Sequence, residues 1–189
     1  MTQNELDNWN GFRAGDKDAF ARVYDTYADM LFRYGMKIVP NKDIVFDAIH
    51  DIFIKLYRLR ATISETDNPR LYLFKSFRGQ LYDNLKKEQH LPGMSLDEIP
   101  FNVEYRISEE LSLDRQQEEE YKEMFRHATS HLTDRQQEAI YLHYTMGLDF
   151  EEVSSLMEMK VQSTRNLMFR AISKIRKIMP FWIFLTFFQ

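Results

Sequence analysis

Six cations and no acid lie between Lys160 and Lys177: Lys160, Arg165, Arg170, Lys174, Arg176 and Lys177. The stretch before them carries Asp149, Glu151, Glu152 and Glu158, so phosphates would attract one segment and repel the other. Within the basic stretch Val161, Thr164, Met168, Ala171, Ile172 and Ile175 keep helical spacing, leaving Gln162, Ser163, Arg165, Asn166, Phe169 and Arg170 on the outward side. Those types suit base edges in a DNA major groove. Arg165 or Arg170 can donate twice to guanine O6 and N7, and Gln162 or Asn166 can pair with adenine. A basic helix end also has a plainer reading, as a solvated face with cations near a helix C-terminus. The segments leading into it favour DNA.

Those segments must position the basic helix, and their starts are marked. Thr133 with Gln136, and Asp149 with Glu152, have capping-box spacing, and Gly147 between them fits a helix stop. Leu132 to Lys177 therefore reads as three helices, the last two a helix-turn-helix. Tyr121, Met124, Phe125, Ala128 and Leu132 predict one more amphipathic helix to complete a four-helix second domain.

The first half is helical too. Phe20, Val23, Tyr24, Tyr27, Met30, Leu31 and Tyr34 form one apolar stripe. Ile44, Val45, Ala48, Ile49, Ile52, Phe53, Leu56 and Tyr57 form another after the breaker Pro40-Asn41. Asn68 fits a cap and Pro69 a first helical position for a third helix that buries Tyr72, Leu73, Phe77, Leu81 and Leu85. Between His90 and about Ser112 the periodicity fails, and Pro92, Gly93 and Pro100 appear among accumulating acids. The predicted fold is all-α: two small helical domains, 1–90 and 114–178, joined by an acidic linker, 91–113, and followed by an apolar tail, 179–189.

Composition sets the bounds. In 189 residues, 44% apolar content is enough for packed cores, and 25 basic against 29 acidic residues leave a net charge of −4, so nucleic-acid binding must come from local patches. With no cysteine there is no disulfide, thiolate metal site or cysteine nucleophile. MTQNELDNWN lacks a signal-peptide pattern and IMPFWIFLTFF is too short to span a bilayer, so a cytoplasmic protein is expected.

Two further surfaces carry recognition chemistry. On the second helix the core stripe leaves Asp47, His50, Asp51, Ile54 and Arg58 on another face, which reads either as a partner-binding patch or as a solvated face with Asp51 paired to Lys55. On the third, Arg70, Lys75, Arg78, Lys86 and Lys87 outnumber Asp83 and are interleaved with Tyr72, Phe74 and Tyr82. Cations can track phosphates and rings can stack on unpaired bases, although core spacing gives the rings a packing role as well. His127 and His131, one turn apart with Glu120 and Glu123 upstream, make a metal site conceivable, but the pattern is not HExxH and a solvated face is the better reading. No metal, cofactor, small-molecule substrate or enzymatic activity is expected.

DAIHDIFIKLY at Asp47 to Tyr57, PRLYLFKSFRGQLYDNLKK at Pro69 to Lys87 and LTDRQQEAIYLHYTMGLDFEEV from Leu132 come in the order found in bacterial RNA polymerase sigma factors. Over roughly residues 15 to 178 the chain resembles the small extracytoplasmic-function group of the sigma-70 family. The resemblance implies that Asp47, His50, Asp51, Phe53 and Ile54 grip core RNA polymerase. It implies that Arg70, Tyr72, Lys75, Arg78, Asn84, Lys86 and Lys87 meet the minus-ten promoter element. Lys160, Gln162, Ser163, Arg165, Asn166, Phe169, Arg170 and Lys174 would meet the minus-thirty-five element. The loop TISETDN, Thr62 to Asn68, lies where the family captures a flipped base, and it also reads as a solvated loop. The resemblance further implies an inhibitory anti-sigma factor, often membrane-anchored. Its rival is a free-standing dimeric helix-turn-helix regulator.

Three positions depart from the family pattern. Glu158 stands where the turn usually has glycine, Lys160 replaces a serine or threonine cap, and Gly79 replaces a common asparagine. The tail from Pro180, with Phe181, Trp182, Ile183, Phe184, Leu185, Phe187 and Phe188, must bury itself, either on the second domain or against a partner.

Overall fold

The computed structural model describes residues 2–89, 100–101, 115–180 and 183. Most of the predicted linker and tail lie outside that set. The described residues are helical and turn structure without a strand, and they fall into two compact units, 1–98 and 99–189.

In the first unit α1 spans Gln3–Arg13, α2 Lys17–Ile38, α3 Lys42–Leu59 and α4 Pro69–Gln89. Each start is capped. Thr2 and Glu5 form a capping box, Asp16 Oδ1 accepts from the Asp18 amide at 2.8 Å, Asn41 Oδ1 from Asp43 at 3.0 Å, and Asn68 Oδ1 from Leu71 at 2.9 Å. Burial follows most of the predicted stripes where α2 and α3 pack together: Val23, Tyr27, Leu31 and Tyr34 are buried on one and Val45, Ile49, Ile52 and Leu56 on the other, while Tyr24, expected inward, is 43% exposed. Gly35 lets these helices close on α4. A Cβ there would lie 2.7 Å from Phe77 Cζ and 2.8 Å from Val45 Cγ1.

The stripe reading passed over α1. Trp9 and Phe12 are fully buried, and Trp9 packs at 5.5 Å on the ring of Tyr72. The legible signals were Thr2 with Glu5 at capping-box spacing and two aromatics three residues apart.

In the second unit α5 spans Arg115–Ser130, α6 Asp134–Ile140, α7 Phe150–Leu156 and α8 Val161–Ile175. A π-helical turn, Tyr141–Thr145, prolongs α6, and Gly147 at φ +65° ends it. Both predicted capping boxes are present. Gln136 N donates to Thr133 Oγ1 at 3.3 Å and Glu152 N to Asp149 Oδ1 at 2.8 Å, each with its return bond. The core gathers Phe125, Ile140, Leu142, Leu148, Val153, Leu156, Met168, Ala171 and Ile175. Phe101 joins it, 5.6 Å from the ring of Tyr141, and its amide donates to Asp134 Oδ1 at 3.0 Å. In the tail Met179, Pro180 and Ile183 are described, with Met179 1% and Ile183 6% exposed.

Candidate nucleic-acid and polymerase interfaces

Helix α8 turns Thr164, Leu167, Met168, Ala171 and Ile175 inward. Leu167 is an inward position the spacing missed, and Ile172 is only half-buried. Gln162, Ser163, Arg165, Asn166, Phe169 and Arg170 are all exposed, on the predicted outward side. Arg165 is held at its inner edge by α7, its guanidinium 3.3 Å from Glu151 Oε1 and 5.7 Å from the centre of the Phe150 ring. His143 also stacks on that ring, at 4.6 Å. Such an exposed pair contributes little to stability, so its main consequence is the direction in which Arg165 points.

Lys174 behaves differently from its neighbours. Its ammonium donates to the His131 carbonyl at 2.9 Å and to Gln136 Oε1 at 3.1 Å, so it ties α8 to the start of α6 instead of standing free for phosphate.

The turn before α8 answers the question raised by Glu158. That residue adopts φ +55°, and the Met159 amide reaches back to the Ser154 carbonyl at 2.8 Å, the bonding of a helix stop that normally uses glycine. Lys160 precedes α8 in extended conformation and its side chain caps nothing.

On α3, Asp47, His50, Asp51 and Ile54 are exposed together. Asp51 Oδ2 accepts from Gln80 Nε2 at 3.2 Å and Asn84 Nδ2 at 3.4 Å on α4, and Lys55 is not its partner. Phe53 requires correction as a polymerase contact. It is 3% exposed, its ring 4.8 Å from that of Tyr24, and it belongs to the core because it lies on the same stripe as Ile49 and Leu56. Beside this face the exposed Phe46 ring stacks on Phe32 at 4.7 Å, a pair the sequence reading did not single out.

On α4 the structure sorts the basic and aromatic set. Lys75 and Lys87 are exposed, and Lys86 is half-buried with its ammonium 4.1 Å from the centre of the Tyr82 ring. Arg78 is 8% exposed and Phe74 is fully buried against Tyr34 of α2, so neither presents a free surface to DNA. Tyr72 is half-buried against Trp9, Arg70 is half-buried, and Asn84 spends its amide on Asp51 and Gln80. Between α3 and α4 lies a cleft of about 260 Å³ with Lys55, Tyr72, Lys75 and Gly79 among its lining. A Cβ at Gly79 would meet open space, so glycine is not required there by packing.

The loop before α4 is less available than its composition suggests. Ile63 is buried, Thr62 Oγ1 donates to the Leu59 carbonyl at 2.8 Å, and Thr66 and Asn68 are used in the turn and cap. The histidine pair at the end of α5, His127 within it and His131 just after it, is likewise engaged locally. His131 Nδ1 lies 2.8 Å from the His127 carbonyl and Glu123 pairs with Arg126.

A helical unit with mixed basic and acidic faces and a second unit ending in an acid-free, outward-facing recognition helix define a DNA-binding transcription protein. Residues 23–91 match the family model for Sigma-70 region 2, and residues 122–175 that for Sigma-70, region 4. The chain belongs to the sigma-70 family, in its extracytoplasmic-function group. The region 2 match decides against a free-standing dimeric regulator.

The chain is 25% identical over 175 residues to the ECF RNA polymerase sigma factor BldN of Streptomyces coelicolor, covering 89% of itself and 63% of that protein. It is 22% identical over 158 residues to the ECF RNA polymerase sigma factor SigM of Bacillus subtilis, covering 82% and 92%. Its fold is similar to that of CnrH solved with the cytosolic domain of CnrY: TM-score 0.61, 13% identity, 93% and 96% covered. It is also similar to the sigma factor RpoE solved with the anti-sigma factor NepR from Bartonella quintana: TM-score 0.56, 19% identity, 84% and 95% covered. No helix among the described residues is long and apolar enough to cross a membrane.

Proposed function

We propose that this chain is an initiation subunit of bacterial RNA polymerase, which binds the core enzyme and directs it to promoters without itself catalysing a reaction. The observation that carries the reading is the presence, in order and on two separate helical units, of the region 2 and region 4 matches. The face of α3 with Asp47, His50, Asp51 and Ile54 meets the polymerase. Lys75, Lys86 and Lys87 on α4 follow the phosphates of the minus-ten element, with Tyr72 and the adjacent cleft available to an unpaired base. The outward face of α8 enters the major groove of the minus-thirty-five element, where Arg165 and Arg170 donate to guanine or phosphate and Gln162 and Asn166 to adenine.

The protein works in the cytoplasm, where polymerase and chromosome are. An anti-sigma factor holds it inactive by covering these faces; the support is that RpoE was solved bound to one. The burial of Met179 and Ile183 supports a packing role for the described part of the tail.

Purified protein added to core RNA polymerase, with transcript starts then sequenced across the genome, tests the reading. Starts preceded by two shared elements at fixed spacing are expected. Starts no different from those of core enzyme alone would overturn it.

A further inference from the structure

Among the large apolar side chains left in water, Phe169 is the most exposed of those described, at 73%. One exposed apolar residue is ordinary on a protein surface. Its position is not. Along α8, Arg165 and Asn166 lie one turn before it, Gln162 two turns before, and Ser173 one turn after, a strip opposite the buried Thr164, Leu167, Met168 and Ala171. The phenyl ring stands near the middle of that strip. Beside it runs a groove of about 400 Å³ lined by Gln136, Arg170, Ser173, Lys174 and Lys177.

An apolar ring among cations and amides selects its occupant. A second copy of this face would set the exposed Arg165 and Arg170 against their own copies, which like-charge repulsion opposes. A lipid surface would satisfy the cations and the ring but leave Gln162, Ser163, Asn166 and Ser173 without matching edges. Duplex DNA satisfies all three. Its phosphates take the cations, its base edges take the amides and hydroxyls, and one base alone, thymine, presents an apolar group in the major groove, the C5 methyl.

We propose that Phe169 reads the 5-methyl group of a thymine in the upstream promoter element. The inference rests on the proposed function and adds a specificity determinant to it. Four residues of helix advance about 6 Å, so the thymine lies roughly two base-pair steps from the pair contacted by Arg165.

The test uses the full chain assembled with core RNA polymerase and a linear duplex bearing the upstream element obtained by start-site mapping. Each thymine is replaced in turn by deoxyuridine, which loses the methyl group and keeps the pairing edge. One replacement should weaken binding about fourfold, the factor that corresponds to one buried methyl. The Phe169→Ala holoenzyme should bind the unmodified duplex about fourfold more weakly and be indifferent to that same replacement, with unchanged helicity by circular dichroism. Changing that T–A pair to C–G should weaken binding, and 5-methylcytosine at the same position should recover part of the loss. Binding insensitive to every methyl, an element without thymine, or equal methyl sensitivity in Phe169→Ala would overturn the assignment while leaving the function intact. A holoenzyme that does not select the unmodified duplex over random sequence would overturn the function itself.

Discussion

Glu158→Gly should stabilise the second unit, although it removes a side chain and fills no space. Glu158 is the only non-glycine residue at positive φ among those described, and it occupies the stop between α7 and α8. For an L-residue with a Cβ that conformation costs about 1–2 kcal/mol. Glycine removes the cost but brings about 0.4–1 kcal/mol of extra unfolded-chain entropy. The net gain is about 0.5–1 kcal/mol, a two- to fivefold smaller unfolded fraction. For a unit of this size that is about 2–8 °C in melting temperature. Differential scanning calorimetry of the full chain, with amide exchange assigning the transition to the second unit, reads the change. Because Glu158 is exposed and charged, Glu158→Ala is the control. Alanine discards the charge and keeps the strain. A gain from alanine equal to that from glycine would attribute the effect to charge, and a loss of stability in Glu158→Gly would refute the strain account.

Asp47→Arg should weaken binding to core polymerase at least about tenfold by reversing an exposed charge, with helicity intact by circular dichroism; unchanged affinity would remove the α3 face from the contact. Arg165→Ala and Arg170→Ala should each cost about 1–3 kcal/mol at one base position if the side chain reads guanine, or weaken all sequences alike if it meets phosphate, as binding titrations across single-base variants will tell. Trp9→Ala should destabilise the first unit by about 3–5 kcal/mol in urea unfolding, since the ring is fully buried against Phe12 and Tyr72; a change below about 1 kcal/mol would mean that α1 is not part of that core. Glu5 titrates below the ordinary carboxylate range, chiefly because its carboxylate accepts the Thr2 backbone amide, with burial opposing. Its contribution is therefore present above the ordinary carboxylate pKa and lost as pH falls through the depressed value, so Glu5→Gln should flatten that part of the acid dependence of first-unit stability.

Helix positions were largely legible because their causes are local. An apolar residue every three or four positions and a side-chain acceptor at each start act within one turn, so α2, α3, α4 and both boxes of the helix-turn-helix could be placed from sequence. The outward face of α8 was legible for the same reason: on a helix packed along one side, inward spacing defines the outside. The turn at Glu158 was not settled in this way: a side chain where the turn usually has glycine left open whether that residue goes left-handed or the turn is built differently, and the fold takes the first course.

What remained hidden depended on neighbours distant in sequence. Whether Arg78 stands open to a phosphate or is buried, whether Asp51 pairs along α3 or reaches Gln80 and Asn84, and whether Lys174 stands free or bonds the His131 carbonyl are settled by which helix lies alongside. Charge and spacing are identical in either case. Only the packing of helices assigns each long side chain to solvent or to a partner, because its burial and hydrogen bonds are made with residues tens of positions away.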